Sequence, residues 1–323
     1  MLFRSDKRDE QGNTSLMEAA FDGKLGEVKR LISHGANVNV ANNEGFTALH
    51  CAVEKGLVDV AALLLDNDAG IEARDKAGIT LLSRAAYNCQ LSCVALLLDR
   101  GAKIDAVDNI GFTALNLAAQ EGHLAVVELL VKRGADIERG SDIDKTPLMS
   151  AAFENRVDVV RYLLDNSAKI DAKRKDGCTA LYAASQEGHI DVIKLLLDRG
   201  ANVHAVTNIG GTALLSAAYH NHAGIAALLM SRGAIVDAVN NDGATPLQCA
   251  AGQKTRNQKC IFVVFVFTTL MLSGCSHILV ATVLLKNGAN VNAKANDGNT
   301  PLSIAKKYGH ARMVELLKAN GAK

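Results

Sequence analysis

Two pairs of side chains in this 323-residue chain stand at spacings that could carry chemistry. Cys89 and Cys93 are placed like half of a zinc-thiolate site, but no second pair accompanies them to complete the four ligands zinc takes. By register Cys93 points into a helix–helix core, and so do Cys51 and Cys249. His220 and His222 fall on or beside a helix end, too close along the chain to share a helical face. Neither a GxxxxGKS/T phosphate loop nor a GxSxG nucleophile turn occurs. The expectation is therefore a protein that is not an enzyme and takes neither metal nor cofactor.

Composition narrows the partners. The 34 acids and 35 bases nearly cancel, whereas a nucleic-acid binder shows a clustered basic excess, so no nucleic acid is expected. Seven cysteines form no regular framework and read as free thiols in a reducing compartment. The start, MLFRSDKRDE, lacks the apolar core of a signal peptide. A cytoplasmic protein is expected, with the nucleus open as a second compartment.

The elements that must hold any site come from a repeat. Thr14, Thr47, Thr80, Thr113, Thr146, Thr179, Thr212 and Thr245 recur every 33 residues. Around each stand a Gly, a small residue or Pro, a Leu, an Ala pair, a Val/Leu cluster and Gly-Ala, as in GFTALNLAAQEGHLAVVELLVKRGADIE at residues 111–138. Each Thr can cap a helix, and the next position is the first helical one, where proline costs nothing. Pro147, Pro246 and Pro301 all occupy it. Gly35, Gly101, Gly134, Gly200, Gly233, Gly288 and Gly321 close a second, leucine-rich helix where a left-handed residue is needed. Each unit buries its apolar face only against the next, giving a quasi-one-dimensional array.

This pattern resembles the ankyrin repeat. The resemblance implies an all-α repeat solenoid of helix-turn-helix units with short β-hairpin loops. Residues 1–11 read as an N-terminal tail and 12–323 as nine repeats, with more charged first and last units as caps. It also implies that His123, His189, His277 and His310 hydrogen-bond between loops.

One stretch breaks the register. From Thr245 the next framework threonine is Thr300, a gap of 55, or 33 plus 22. Removing residues 254–275 restores the pattern, and the intrusion falls between the two helices of the eighth repeat. Three readings compete: a translated intron, favoured by the Phe- and Val-rich composition, a binding hook, and a membrane span over 260–285. The span conflicts with a register that assigns its last third to a helix.

Odd and even repeats differ. Seven residues after the threonine the odd ones carry Phe21, Tyr87, Phe153 and Tyr219, where even ones carry Glu54, Gln120 and Gln186. In the ankyrin family this position lies at the end of the inner helix on the concave face, where partners bind. The resemblance makes the four aromatics a partner-binding stripe, though the same rings could simply cover the neighbouring helix. Phe46, Ile79 and Phe112, one residue before the threonine, form a second candidate stripe of exposed tips. Glu121, Glu154 and Glu187 either are solvated helix-end carboxylates, the reading the position favours, or point to a basic segment on the partner. The reading is a monomeric, non-enzymatic scaffold or adaptor that binds another protein in its groove. A membrane-associated protein using 260–285, or the targeting or regulatory part of a larger enzyme assembly, remain as alternatives.

Overall fold

The computed structural model describes residues 7–252 and 277–323. The interruption at 254–275 lies outside the described residues. The chain divides into two compact units, residues 1–169 and 170–323.

In the first unit, inner helices α1 (Ser15–Phe21), α3 (Ala48–Glu54), α5 (Leu81–Tyr87), α7 (Ala114–Glu121) and α9 (Pro147–Phe153) alternate with outer helices. The outer ones are α2 (Leu25–Ser33), α4 (Val58–Leu65), α6 (Leu91–Asp99), α8 (Leu124–Lys132) and α10 (Val157–Asp165). In the second unit the inner helices are α11 (Ala180–Glu187), α13 (Ala213–Tyr219), α15 (Pro246–Gly252) and α17 (Pro301–Lys307). Their outer companions are α12 (Ile190–Asp198), α14 (Ala223–Ser231), α16 (Ile278–Lys286) and α18 (Ala311–Ala319). Within each unit, inner helices pack on inner helices and outer on outer, each pair also packing on itself. Each unit is thus an all-α repeat solenoid.

The sequence accounts for this locally. The threonine hydroxyl accepts the N–H three residues on, at 3.3 Å for Met17 and 3.2 Å for Asn116, satisfying a donor the helix leaves open. Pro147 and Pro301 sit in the first turn behind their caps. Small residues let the inner helices approach, and Ala118 and Ala119 are wholly buried. Leu64, Leu97, Leu130 and Leu163 are fully buried on successive outer helices, each contributing roughly 2–3 kcal/mol. After seven outer helices a left-handed glycine follows, as Gly134 does at φ 91°, and after α4 and α10 Asp68 and Ser167 take that conformation instead.

The short hairpins take the form of hydrogen-bonded turns rather than strands. Among the described residues only isolated bridges occur, Arg8–Thr14 and Arg74–Thr80. Residues 8–14 already form such a turn, with the Asp9 N–H bonded to the Asn13 carbonyl at 3.0 Å. Adjacent turns are tied through the main chain, as Asp142 N–H is to the Ile110 carbonyl at 3.1 Å.

A second ladder ties the turn after each outer helix to the next one. In the first unit the side chains of Asn39, Glu72, Asp105 and Glu138 accept the N–H of Gly70, Lys103, Asp136 and Lys169. In the second, Asp171, Asp237 and Asn292 accept from Asn202, Asn290 and Lys323.

The described part of the candidate span at 260–285 is α16. It buries Val280, Ala281 and Leu284 and packs on α14, α15 and α18, as the register required. Among the described residues no helix is long and apolar enough to cross a membrane.

Candidate functional site

The odd-repeat aromatics are each the last residue of an inner helix: Phe21 of α1, Tyr87 of α5, Phe153 of α9 and Tyr219 of α13. Phe21 is 46 % and Tyr87 47 % exposed, and Phe153 is half-buried. In the second unit Tyr219 is 48 % exposed, its ring edge-on to His220 with centroids 4.9 Å apart. In the first unit cations lie over two of the three rings. Lys55 Nζ sits 4.2 Å from the Phe21 centroid and Lys145 Nζ 5.0 Å from that of Phe153. Each half-exposed pair of this kind is worth roughly 0.5–1 kcal/mol.

The second stripe is not exposed. Phe46, Ile79 and Phe112 are half-buried, and side chains of the following repeat lie over the two rings. The Arg84 guanidinium lies 4.5 Å over the Phe46 ring, which also stacks on His50, and Lys145 lies 5.8 Å from the Phe112 ring. Arg84 is held in turn by Asp75, whose side chain is only 6 % exposed, and by Glu54 at 3.4 Å. The side chains that do project from the tips lie two residues earlier: Ile110 and Ile143 in the first unit, Ile209 in the second, at 59, 47 and 67 % exposure. Sequence reasoning passed over them, although the signal was there. Other repeats carry Gln11, Glu44, Asp176, Asp242 and Asp297 at that place.

Behind the aromatic position runs a row of staples. His123 Nε2 reaches the Tyr87 carbonyl at 2.9 Å, and His277 Nε2 the Tyr219 carbonyl at 3.0 Å. His310 Nδ1 lies 2.9 Å from the Ala251 carbonyl. Gln90, Arg156 and His222 do the same for Glu54, Gln120 and Gln186 at 3.2, 2.9 and 3.1 Å. The structural role expected of these histidines is thus seen for His123, His277 and His310, and three residues outside that expectation share it.

A family model described as "Ankyrin repeats (3 copies)" matches residues 1–75, 69–141 and 139–207, and one described as "Ankyrin repeat" matches 210–241 and 297–323. The chain belongs to the ankyrin-repeat family. The human ASB11 ankyrin repeat domain superposes with a TM-score of 0.62 at 32 % identity, over 68 % of this chain and 98 % of that one. Notch-regulated ankyrin repeat-containing protein A of Danio rerio is 45 % identical over 42 residues, 13 % of this chain and 38 % of that protein. A palmitoyltransferase of Saccharomyces cerevisiae is 43 % identical over 54 residues, 17 % of this chain and 7 % of its own length. The chain therefore spans well under half of these two curated relatives. Ankyrin repeats are generally protein-interaction modules, and their fold is typically a non-enzymatic scaffold.

The remaining candidates fall into this ankyrin frame. Glu121 and Glu154 are half-buried at the inner-helix ends of the first unit, and Glu187 is exposed in the second. Cys93 is fully buried, but Cys51 and Cys249 are half-buried rather than core, since their helix positions face partly outward. Burial pushes all three thiols up to about 11, so they are poor nucleophiles and ligands at neutral pH. Cys89 is exposed in the turn between α5 and α6 at φ 59°, while Cys93 faces the core, so the two do not share a surface. His220 and His222 do come together, their rings nearly parallel at 6.3 Å, because the turn between α13 and α14 folds one beside the other. Among the described residues no group of three or more His, Cys, Asp or Glu could hold a metal ion.

Proposed function

We propose that this ankyrin protein is an adaptor that holds a partner protein along its inner-helix face, with Phe21, Tyr87, Phe153 and Tyr219 as anchors. The observation that supports this is the half-exposure of Phe21, Tyr87 and Tyr219 at the same place in three repeats. A half-exposed ring has little packing to lose in the free protein and much area to bury in a complex, at small cost in rotamer entropy. Glu121, Glu154 and Glu187 beside them favour a partner segment bearing Lys or Arg. Phe46, Ile79 and Phe112 form the half-buried margin of the same surface.

The test begins with a photoreactive phenylalanine at position 87 and, as a control, at Asp59 on α4. The partner captured only from position 87 is then purified, and its affinity measured against the intact chain and a Phe21→Ala/Tyr87→Ala variant. Losing two anchors should weaken binding by about 2 kcal/mol or more, roughly thirtyfold. The melting temperature should move by only a few degrees. Unchanged affinity would remove the stripe from the interface, and a collapse in stability would make these rings part of the core.

A further inference from the structure

The ladder that ties successive outer turns has one missing rung among the described residues of the second unit. Where neighbouring repeats place Asp171, Asp237 and Asn292 as acceptors, the sixth places His204. The N–H that His204 would receive belongs to Ile235, and no hydrogen bond reaches it. Ile235 also stands apart from its counterparts in the second unit. Its counterparts Asn202 and Asn290 cap their own turns by accepting the N–H two residues on, at 2.9 and 3.0 Å. An isoleucine cannot do so, and this one is 60 % exposed.

A partly open cavity of about 130 Å³ lies at the same place. Val203, His204, Val206, Leu214, Ile235 and Val239 line it, and its surface is almost wholly apolar. Val206 and Val239 are 45 and 53 % exposed. An enclosed apolar cavity of about 150 Å³ accepts a benzene-sized group, which sets the scale for this partly open one. The volume here suits one leucine-sized side chain.

Charge flanks the patch. The framework position of Val206 and Val239 is occupied by Lys173 in the preceding repeat and Lys294 in the following one, both exposed. Lys173 Nζ already lies 3.3 Å from the Val206 carbonyl, which puts an ammonium at the rim. The carboxylate of Asp237 is occupied by the Asn290 N–H.

We propose that this cavity is a second docking site, separate from the inner-helix face, for an extended acidic peptide segment with a central leucine-sized residue. The apolar side chain fills the cavity, a peptide carbonyl accepts the Ile235 N–H in place of the missing rung, and flanking carboxylates face Lys173 and Lys294. Each element answers a separate feature of the site: its volume, its unpaired donor and its two cations.

The probes are three capped pentapeptides: Glu-Asp-Leu-Asp-Glu, the same with Ala at the centre, and Lys-Lys-Leu-Lys-Lys. Each is titrated into the intact 323-residue chain while the Ile235 amide is followed by NMR. The acidic leucine peptide should shift that amide in a saturable way. The alanine peptide should bind roughly tenfold more weakly, the difference expected from burying the larger side chain. The basic peptide should not bind. His204→Asp restores the acceptor found in the neighbouring repeats and should abolish the shift with the fold intact. Val239→Lys is a second variant that fills the patch without touching the ladder, and it should also abolish binding. The proposal is overturned if the three peptides bind alike, if none binds at millimolar concentration, or if both variants still bind the acidic leucine peptide. None of these outcomes bears on the inner-helix anchors.

Discussion

His50 shows how much one side chain can be constrained. It is 1 % exposed, and its Nδ1 accepts the Thr47 N–H at 3.1 Å in a capping box, so the proton must sit on Nε2. That Nε2 is buried with no partner. Burial first, and then the nearby Arg84 charge, hold its pKa down to about 4, against an ordinary 6.5. The unfolded chain binds this proton as pH falls below 6.5 and the fold does not, so stability drains away between 6.5 and about 4. Asn116 makes the same capping box with an amide and also donates to the Lys145 carbonyl at 3.2 Å. His50→Asn should therefore melt near wild type at pH 7. It should retain on the order of 2 kcal/mol more stability at pH 5, read from urea unfolding at the two pH values. Equal acid sensitivity in both proteins would show that His50 is not the titrating group. His222 and His277, also lowered by burial, add acid sensitivity to both proteins alike.

Two backbone positions at this scale give opposite predictions. Cys89 is left-handed at φ 59° where other repeats place Gly56, Gly122 and Gly188. Removing its Cβ should relieve the strain, and Cys89→Gly should raise stability by about 1 kcal/mol net of the added chain entropy. Gly134 is the converse: nothing lies within 4 Å of a Cβ added there, so only its φ of 91° resists substitution. Gly134→Val should cost on the order of 1–3 kcal/mol, and Gln120→Ala, at a half-buried surface position, within roughly 0.5. Urea titrations of the three variants check both expectations.

At the scale of the element, the threonine and glycine caps were legible because they answer a demand of the backbone that few residue types meet. The inner helices α7 and α11 run eight residues to a left-handed Gly122 or Gly188, whereas α5, α9 and α13 stop at seven. The two-repeat alternation read from Phe, Tyr, Glu and Gln is matched in helix length at the fourth and sixth repeats, whereas α3 of the second stops at seven like the odd ones. What could not be read is how a neighbour 33 residues away covers a side chain. Phe46 looks exposed at a hairpin tip until Arg84 and His50 are placed against it. The staple was legible only where it was histidine, because Gln90 and Arg156 reach an equivalent carbonyl with different shapes. The missing rung at His204 was illegible for a related reason, since an anomaly shows only once the other rungs are known to be bonded.

At the scale of the molecule, each helix among the described residues of a unit packs chiefly on its companion and on the helices of adjacent repeats. Such arrays tolerate insertion wherever no neighbour contact is cut. Helices α15 and α16 pack on each other although 25 residues separate Gly252 from Ile278. Deleting residues 254–275, which joins Gln253 to Ser276, should leave thermal stability equal or higher. A melting point well below that of the full chain would show that the segment contributes to the fold. Sequencing the transcript tests the intron reading directly.

The carbonyls of Tyr87, Gln120, Gln186 and Tyr219 are each clasped by the repeat that follows. At these four places the main chain is held by one neighbour, while the side chain takes no part in that bond. A frame fixed without reference to the letters it displays lets those letters be rewritten singly. Descent or design could redirect such a protein to a new correspondent one repeat at a time, with the scaffold indifferent to the message.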